Sequence, residues 1–120
     1  MTKRLLIVED SELNRELLVQ IFEDGFEIAL ASDGETAVEI ASSEQPDLVL
    51  MDIGLPRMDG LEAARAIRAR DAEIPIIAVS ASVMPGDRQR AIEAGSNEFV
   101  AKPIDHPRLV EMVDRLLEGR

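Results

Sequence analysis

The run Leu48-Val49-Leu50-Met51, closed by Asp52, constrains this chain more than any other stretch. Four apolar residues lead into one carboxylate and then into Ile53-Gly54-Leu55-Pro56. A short unbroken apolar run between Pro46-Asp47 and a Gly/Pro loop predicts a strand buried on both faces. Strands of that kind lie inside parallel sheets. Asp52 then falls at the strand's carboxyl end, where open α/β sheets hold their ligands. A lone Asp there is an ordinary turn residue. Its meaning depends on what the other strands bring beside it.

The rest of the chain alternates in the same way. Further strands are predicted at 5–8, 76–79 and 98–101, and at 27–31, which alternates enough to lie at a sheet edge. Ser11 can cap a helix with Leu13, Leu17, Leu18, Ile21 and Phe22 on one face. Ser32-Asp33-Gly34-Glu35 has capping-box spacing ahead of Ala37, Val38 and Ala41. Asp59-Gly60 precedes a helix with Leu61, Ala64 and Ile67 inward. Asp87 opens a helix that uses Ala91 and Ile92 and stops at Gly95. Asp105 caps a last helix carrying Leu109, Met112, Val113, Leu116 and Leu117. Strands joined by such helices must be parallel, with right-handed crossovers. The expected fold is one α/β domain over residues 1–120, a doubly wound five-stranded parallel sheet in the order 2-1-3-4-5. The site is expected at the switch point between the first and third strands.

The strands end in a particular set of polar groups. The first gives Glu9 and Asp10, the third Asp52, the fourth Ser80 and the fifth Lys102. Two ionised carboxylates about 4 Å apart repel by ~4 kcal/mol at an effective dielectric of 20. One of the three should therefore be protonated, or a cation should sit among them. Oxygen ligands with room for water suit Mg²⁺. Asp10 and Asp52 would bind it directly, Glu9 through a water, and the Gly54 backbone carbonyl could add an oxygen. Lys102 and the cation could together neutralise the oxygens of a phosphoryl group, and the Ser80 hydroxyl could donate to one of them. Singly, each residue also reads more plainly: Glu9-Asp10 as a helix-start acidic pair, Ser80 as a local hydrogen-bonding group, Lys102 as a solvated lysine. The combination on four strand ends carries the reading.

Composition removes several function classes. A formal net charge of -11 repels nucleic-acid backbones. With no Trp or Tyr and three Phe, there is little to stack on bases or flavin rings. With no Cys, disulfide and thiolate chemistry are excluded, which fits a reducing compartment. No run reaches membrane-spanning length and the N-terminus has no signal-peptide pattern, so a cytoplasmic location is expected.

Ile7-Val8-Glu9-Asp10, Leu50-Met51-Asp52-Ile53-Gly54-Leu55-Pro56, Met58-Asp59-Gly60, Val79-Ser80-Ala81 and Lys102-Pro103 together resemble the receiver (response-regulator) domain of bacterial two-component systems. The resemblance covers essentially the whole chain and implies the flavodoxin-like fold. It implies that Asp52 is the phosphoacceptor, taking its phosphoryl group from a sensor histidine kinase or a histidine phosphotransfer protein. Asp10 and Glu9 match the acidic pair for Mg²⁺, and Lys102 matches the lysine that pairs with the phosphoryl group. Lys102-Pro103 matches the family's cis peptide. Ser80 matches the switch hydroxyl and Phe99 the switch aromatic, which together reshape the helix 4–strand 5–helix 5 face. Phe99 lacks a hydroxyl, so its inward state would rest on packing; the plain alternative is a core ring.

Gly54 and Ser82 offer little to shield a phosphoryl group, so an acyl phosphate exposed to water is expected. Met1 just before the first strand and Arg120 just after the last helix suggest a stand-alone regulator of the chemotaxis or DivK type. Such a protein acts by binding a downstream protein, with no direct contact to nucleic acid or membrane. It is not an enzyme beyond accepting and losing its own phosphoryl group. Alternatives are a receiver excised from a larger regulator or hybrid kinase, or one that signals without phosphorylation. A phosphatase of the haloacid-dehalogenase type would want a second Asp where Gly54 stands, and a flavin carrier would want glycine-rich phosphate loops. His106 reads as surface; Arg88 and Arg90 read either as part of the partner face or as a solvated basic face.

Overall fold

A computed structural model of the chain describes residues 2–55, 58–81 and 84–118. Pro56 and Ser82 lie outside the described residues. In chain order the elements are β1 (Lys3–Val8), α1 (Glu12–Phe22), β2 (Phe26–Ala31), α2 (Gly34–Glu44), β3 (Leu48–Asp52), α3 (Gly60–Arg70), β4 (Ile76–Ser80), α4 (Asp87–Glu93), β5 (Glu98–Ala101) and α5 (His106–Glu118). The strands form one parallel sheet in the order β2-β1-β3-β4-β5. This is the predicted doubly wound topology.

The apolar runs become strands because helices cover both faces of the sheet. Every residue of β3 and β4 is buried. On one face Leu5, Ile7, Leu50 and Val79 pack against Leu18 and Phe22 of α1 and Leu109, Met112 and Val113 of α5. On the other, Leu6, Val8, Val49, Met51 and Ile76 pack against Ala37 of α2 and Ala63, Ala64 and Ile67 of α3. Burying each such Leu or Ile contributes about 1.5–3 kcal/mol. These two layers fix the sheet rigidly under the strand ends.

The helix boundaries follow side-chain caps. Ser11 accepts from the Asn14 N–H, Asp59 from Glu62 and Asp105 from Arg108. At α2 the cap is Asp33, which accepts from the Thr36 N–H at 2.8 Å. The capping-box reading had placed it one residue earlier, at Ser32; Asp33 prevails because its backbone is the extended residue preceding the helix. Two inward faces are narrower than predicted. Leu13 is 67% exposed and Leu17 41%, so α1 buries only Leu18 and Phe22, and Ile92 on α4 is 42% exposed. The periodicity located the apolar arc of each helix, but the neighbouring elements cover only part of it.

Candidate functional site

The strand register brings the polar ends together. Val8 of β1 pairs with Met51 of β3, so Glu9 and Asp52 emerge side by side. Asp52 pairs with Val79, and Ser80 with Ala101, which puts Ser80 and Lys102 on the same edge. The ladder continues past the strands: Glu9 N–H donates to the Ala31 carbonyl, Ile53 N–H to Val79, and Lys102 N–H to Ser80, at 2.8–3.0 Å. Gly60 fits against the turn that follows Asp52. A Cβ there would lie 2.4 Å from the Asp52 carbonyl oxygen and 2.4 Å from the Ile53 Cα, so only glycine allows α3 to start this close.

Glu9 and Asp52 are buried and Asp10 is exposed, and the three offer carboxylate oxygens within 4.8 Å of one another. Among them sits the Lys102 ammonium, 2.9 Å from Glu9 Oε1 and 3.3 Å from Asp52 Oδ2. The ammonium offsets part of the repulsion between the two buried carboxylates, and the three carboxylates together remain able to hold a metal ion. Asp52 Oδ1 accepts from the Gly54 N–H at 2.9 Å, so both of its oxygens are oriented. Glu9 Oε2 accepts from the Ser11 N–H at 3.1 Å, and Arg15 donates to the Glu9 carbonyl at 3.2 Å. Burial pushes the Glu9 carboxyl above its ordinary range; Lys102 opposes the rise and Asp52 adds to it. Burial works against the charge on Lys102, but its bonds to Glu9 and the charges of Asp52 and Glu9 outweigh this and raise its pKa.

Ser80 is buried at the end of β4. The Lys102–Pro103 peptide is cis. Phe99 is half-buried on β5 and joins neither core cluster among the described residues. Gly54 is exposed beside the carboxylate, and an added Cβ would meet only Asp52 Oδ1, at 3.6 Å. His106 is exposed, at the rim of an apolar groove that reaches Lys102. Arg88 lies 4.0 Å from Glu98, and Arg90 pairs with Asp87.

Sequence reasoning missed a clamp that holds the helix 4 region. Arg68 of α3 donates to the Gly95 carbonyl at 2.7 and 3.0 Å and to Asn97 Oδ1 at 3.0 Å. Asn97 Oδ1 in turn accepts from the Ile76 N–H at 2.8 Å. An arginine on a helix surface gives no local signal of partners this distant in sequence.

With the geometry in hand, comparison with known proteins decides the family. The profile of the response regulator receiver domain matches residues 5–114. The chain belongs to that family. This receiver is 39% identical to the polar-differentiation response regulator DivK of Brucella ovis, over 98% of both chains. It is 34% identical to the receiver domain of sensor histidine kinase PA1611 from Pseudomonas aeruginosa, covering 98% of this chain and 99% of that one, with a TM-score of 0.90. That structure has a magnesium ion coordinated in its active-site cleft. A CheY-like receiver from Methanospirillum hungatei superposes with a TM-score of 0.94 at 26% identity, over 99% and 96% of the two chains. The flavodoxin-like fold and the membership in two-component signalling are thereby established for this receiver. Among its described residues, no helix is long and apolar enough to cross a membrane.

Proposed function

We propose that Asp52 accepts a phosphoryl group from the phosphohistidine of a sensor histidine kinase or histidine phosphotransfer protein, and that this switches binding of a downstream protein. The observation that carries the reading is the Lys102 ammonium bridging Glu9 and Asp52 across three strand ends. Glu9, Asp10 and Asp52 would hold Mg²⁺, with the Gly54 carbonyl adding an oxygen; the spacing of the three carboxylates and the exposed position of Asp10 suit a hard ion that keeps several waters. When bound, the ion would supply positive charge to the phosphoryl oxygens. One Asp52 oxygen attacks phosphorus, an O–P bond forms as the N–P bond breaks, and the electron pair returns to the imidazole nitrogen. Lys102 then serves the new phosphoryl oxygens in place of the carboxylates.

The donor has a surface to approach on. An apolar groove of about 170 Å³, lined by Leu17, Leu18, Ile21, Pro103 and Ile104, opens beside Lys102. On the output side, Ser80 and Phe99 lie on neighbouring strands under the α4–β5–α5 face. Ser80 donates to the phosphoryl group and Phe99 turns inward, with packing alone holding the ring. The chain acts as a single cytoplasmic receiver domain over residues 1–120, turns over no external substrate and contacts protein rather than nucleic acid.

Intact mass after incubation with acetyl phosphate and Mg²⁺ tests this. The native chain should gain one labile phosphoryl group, and Asp52→Asn or Mg²⁺ removal should prevent it. A native chain that stays folded and gains none would refute the reading.

A further inference from the structure

The charge of this molecule is concentrated on one edge. Residues 9–47, which span α1, β2 and α2, carry twelve acidic side chains and a single basic one, a net charge equal to the whole chain's -11. Residues 48–120 carry twelve acidic and ten basic side chains. β2 is an edge strand and α1 and α2 pack on its two sides, so the excess lies on one flank of the fold. Glu12 and Glu35 suit the first turns of α1 and α2, but further along the same helices the excess is unfavourable. Glu12 and Glu16 stand one turn apart with like charge, and neither α1 nor α2 has a basic residue in its last turn to meet the helix dipole. α3, α4 and α5 all have one. Arg4 neutralises Glu27 and Glu44, but Glu12, Glu16 and Glu23 have no ion pair among the described residues.

Those three glutamates line a groove of about 460 Å³ between α1 and the sheet edge. Its floor is apolar, made by Val19 and by Leu30 of β2. Leu30 is 44% exposed, whereas Ile7, its register partner on the same face, is fully buried. Arg15, the one cation of the stretch, is turned to the Glu9 carbonyl.

We propose that this α1–β2 edge is a docking surface for a basic polypeptide segment. An aliphatic or aromatic residue of the segment seats on Leu30 and Val19, and flanking Lys or Arg side chains meet Glu12, Glu16 and Glu23. The charge decides the occupant: an acidic or neutral segment would bury Leu30 only against an unopposed negative field. The surface stands at the opposite edge of the sheet from β5, so it is separate from the proposed output face and does not depend on Asp52 accepting a phosphoryl group.

The test is fluorescence anisotropy at physiological salt, with a short labelled peptide of lysines around a central Leu-Phe pair. The triple variant Glu12→Gln, Glu16→Gln, Glu23→Gln is compared with Glu62→Gln, Glu111→Gln, Glu118→Gln, which removes the same charge from exposed positions on α3 and α5. The groove triple and Leu30→Ser should each weaken binding about tenfold, and the control triple less than about twofold. Equal weakening by both triples would make the binding a general effect of net charge and overturn the proposal. Unchanged binding by Leu30→Ser would overturn it as well. Sedimentation of the native chain completes the test. A dimer lost in the groove triple would show that the occupant is a second copy of this chain, which also overturns the proposal.

Discussion

The centre of the sheet and its β5 edge are built to different standards. β3 and β4 are buried throughout, and Glu9 and Asp52 stand at the carboxyl ends of the central strands β1 and β3. β5 has four residues, none of them buried, and it carries Phe99. Next to it, α4 has seven residues, and its N-cap, Gly86 at φ 89°, makes no side-chain cap bond. α1, α2 and α3 all have such caps. Moving the acidic floor would mean breaking a packed core; moving the α4–β5 region costs far less. The contrast suits a molecule that does chemistry at a fixed point and signals through an adjacent, weakly held face. The Arg68 clamp on Gly95 and Asn97 ties the end of α4 to α3.

The largest expected difference is in stability. Leu50→Ala should cost about 2–5 kcal/mol in urea unfolding. Phe99→Ala should cost less than half as much, because its ring joins neither core cluster. Equal costs would make Phe99 a core ring and end its switching role. Next comes Lys102, at the seam between the two regions. Lys102→Met should slow phosphoryl acceptance from acetyl phosphate by about 10²-fold, the scale for removing one charged partner of a transferring group. A rate within about twofold of native would place Lys102 outside the chemistry.

A smaller effect is expected from Glu9. Its folded pKa is raised above that of an unfolded glutamate, chiefly by burial, so between the two the folded state holds more protons than the unfolded one. Stability of the ion-free protein should therefore fall as pH rises through that window. Thermal melts of native protein should show this slope, and Glu9→Gln should flatten it. An identical slope in both would mean that the Glu9 carboxyl is not perturbed by its burial. Smallest is Ser96→Ala. Among the described residues the buried Ser96 hydroxyl has no hydrogen-bond partner, and removing it should gain about 1 kcal/mol in the same unfolding assay. A loss of stability would show that the hydroxyl is in fact satisfied.

The fold was legible because its central strands are unbroken apolar runs, and five of them separated by helical spacing allow few arrangements. Glu9, Asp10, Asp52, Ser80 and Lys102 were legible as a group because each follows or ends such a run. What sequence could not give was reach. The Lys102 ammonium sits on Glu9 because the strand ends that carry them, 93 residues apart in sequence, lie only three positions apart in the sheet. Arg68 holds Gly95 for the same kind of reason. Leu13 and Leu17 share a helical face with Leu18, yet α5 and the sheet cover only part of that face. The cap at Asp33 rather than Ser32 turns on one backbone conformation, which two adjacent capping residues leave undecided.

The most direct test of this division is hydrogen exchange read by mass spectrometry, with and without acetyl phosphate and Mg²⁺, in the native chain and in Asp52→Asn. The expected result is one added phosphoryl group with altered exchange over residues 84–101, unchanged protection in β1 and β3, and no response in Asp52→Asn. A fully phosphorylated chain with no change over residues 84–101, or with its change confined to the central strands, would contradict it.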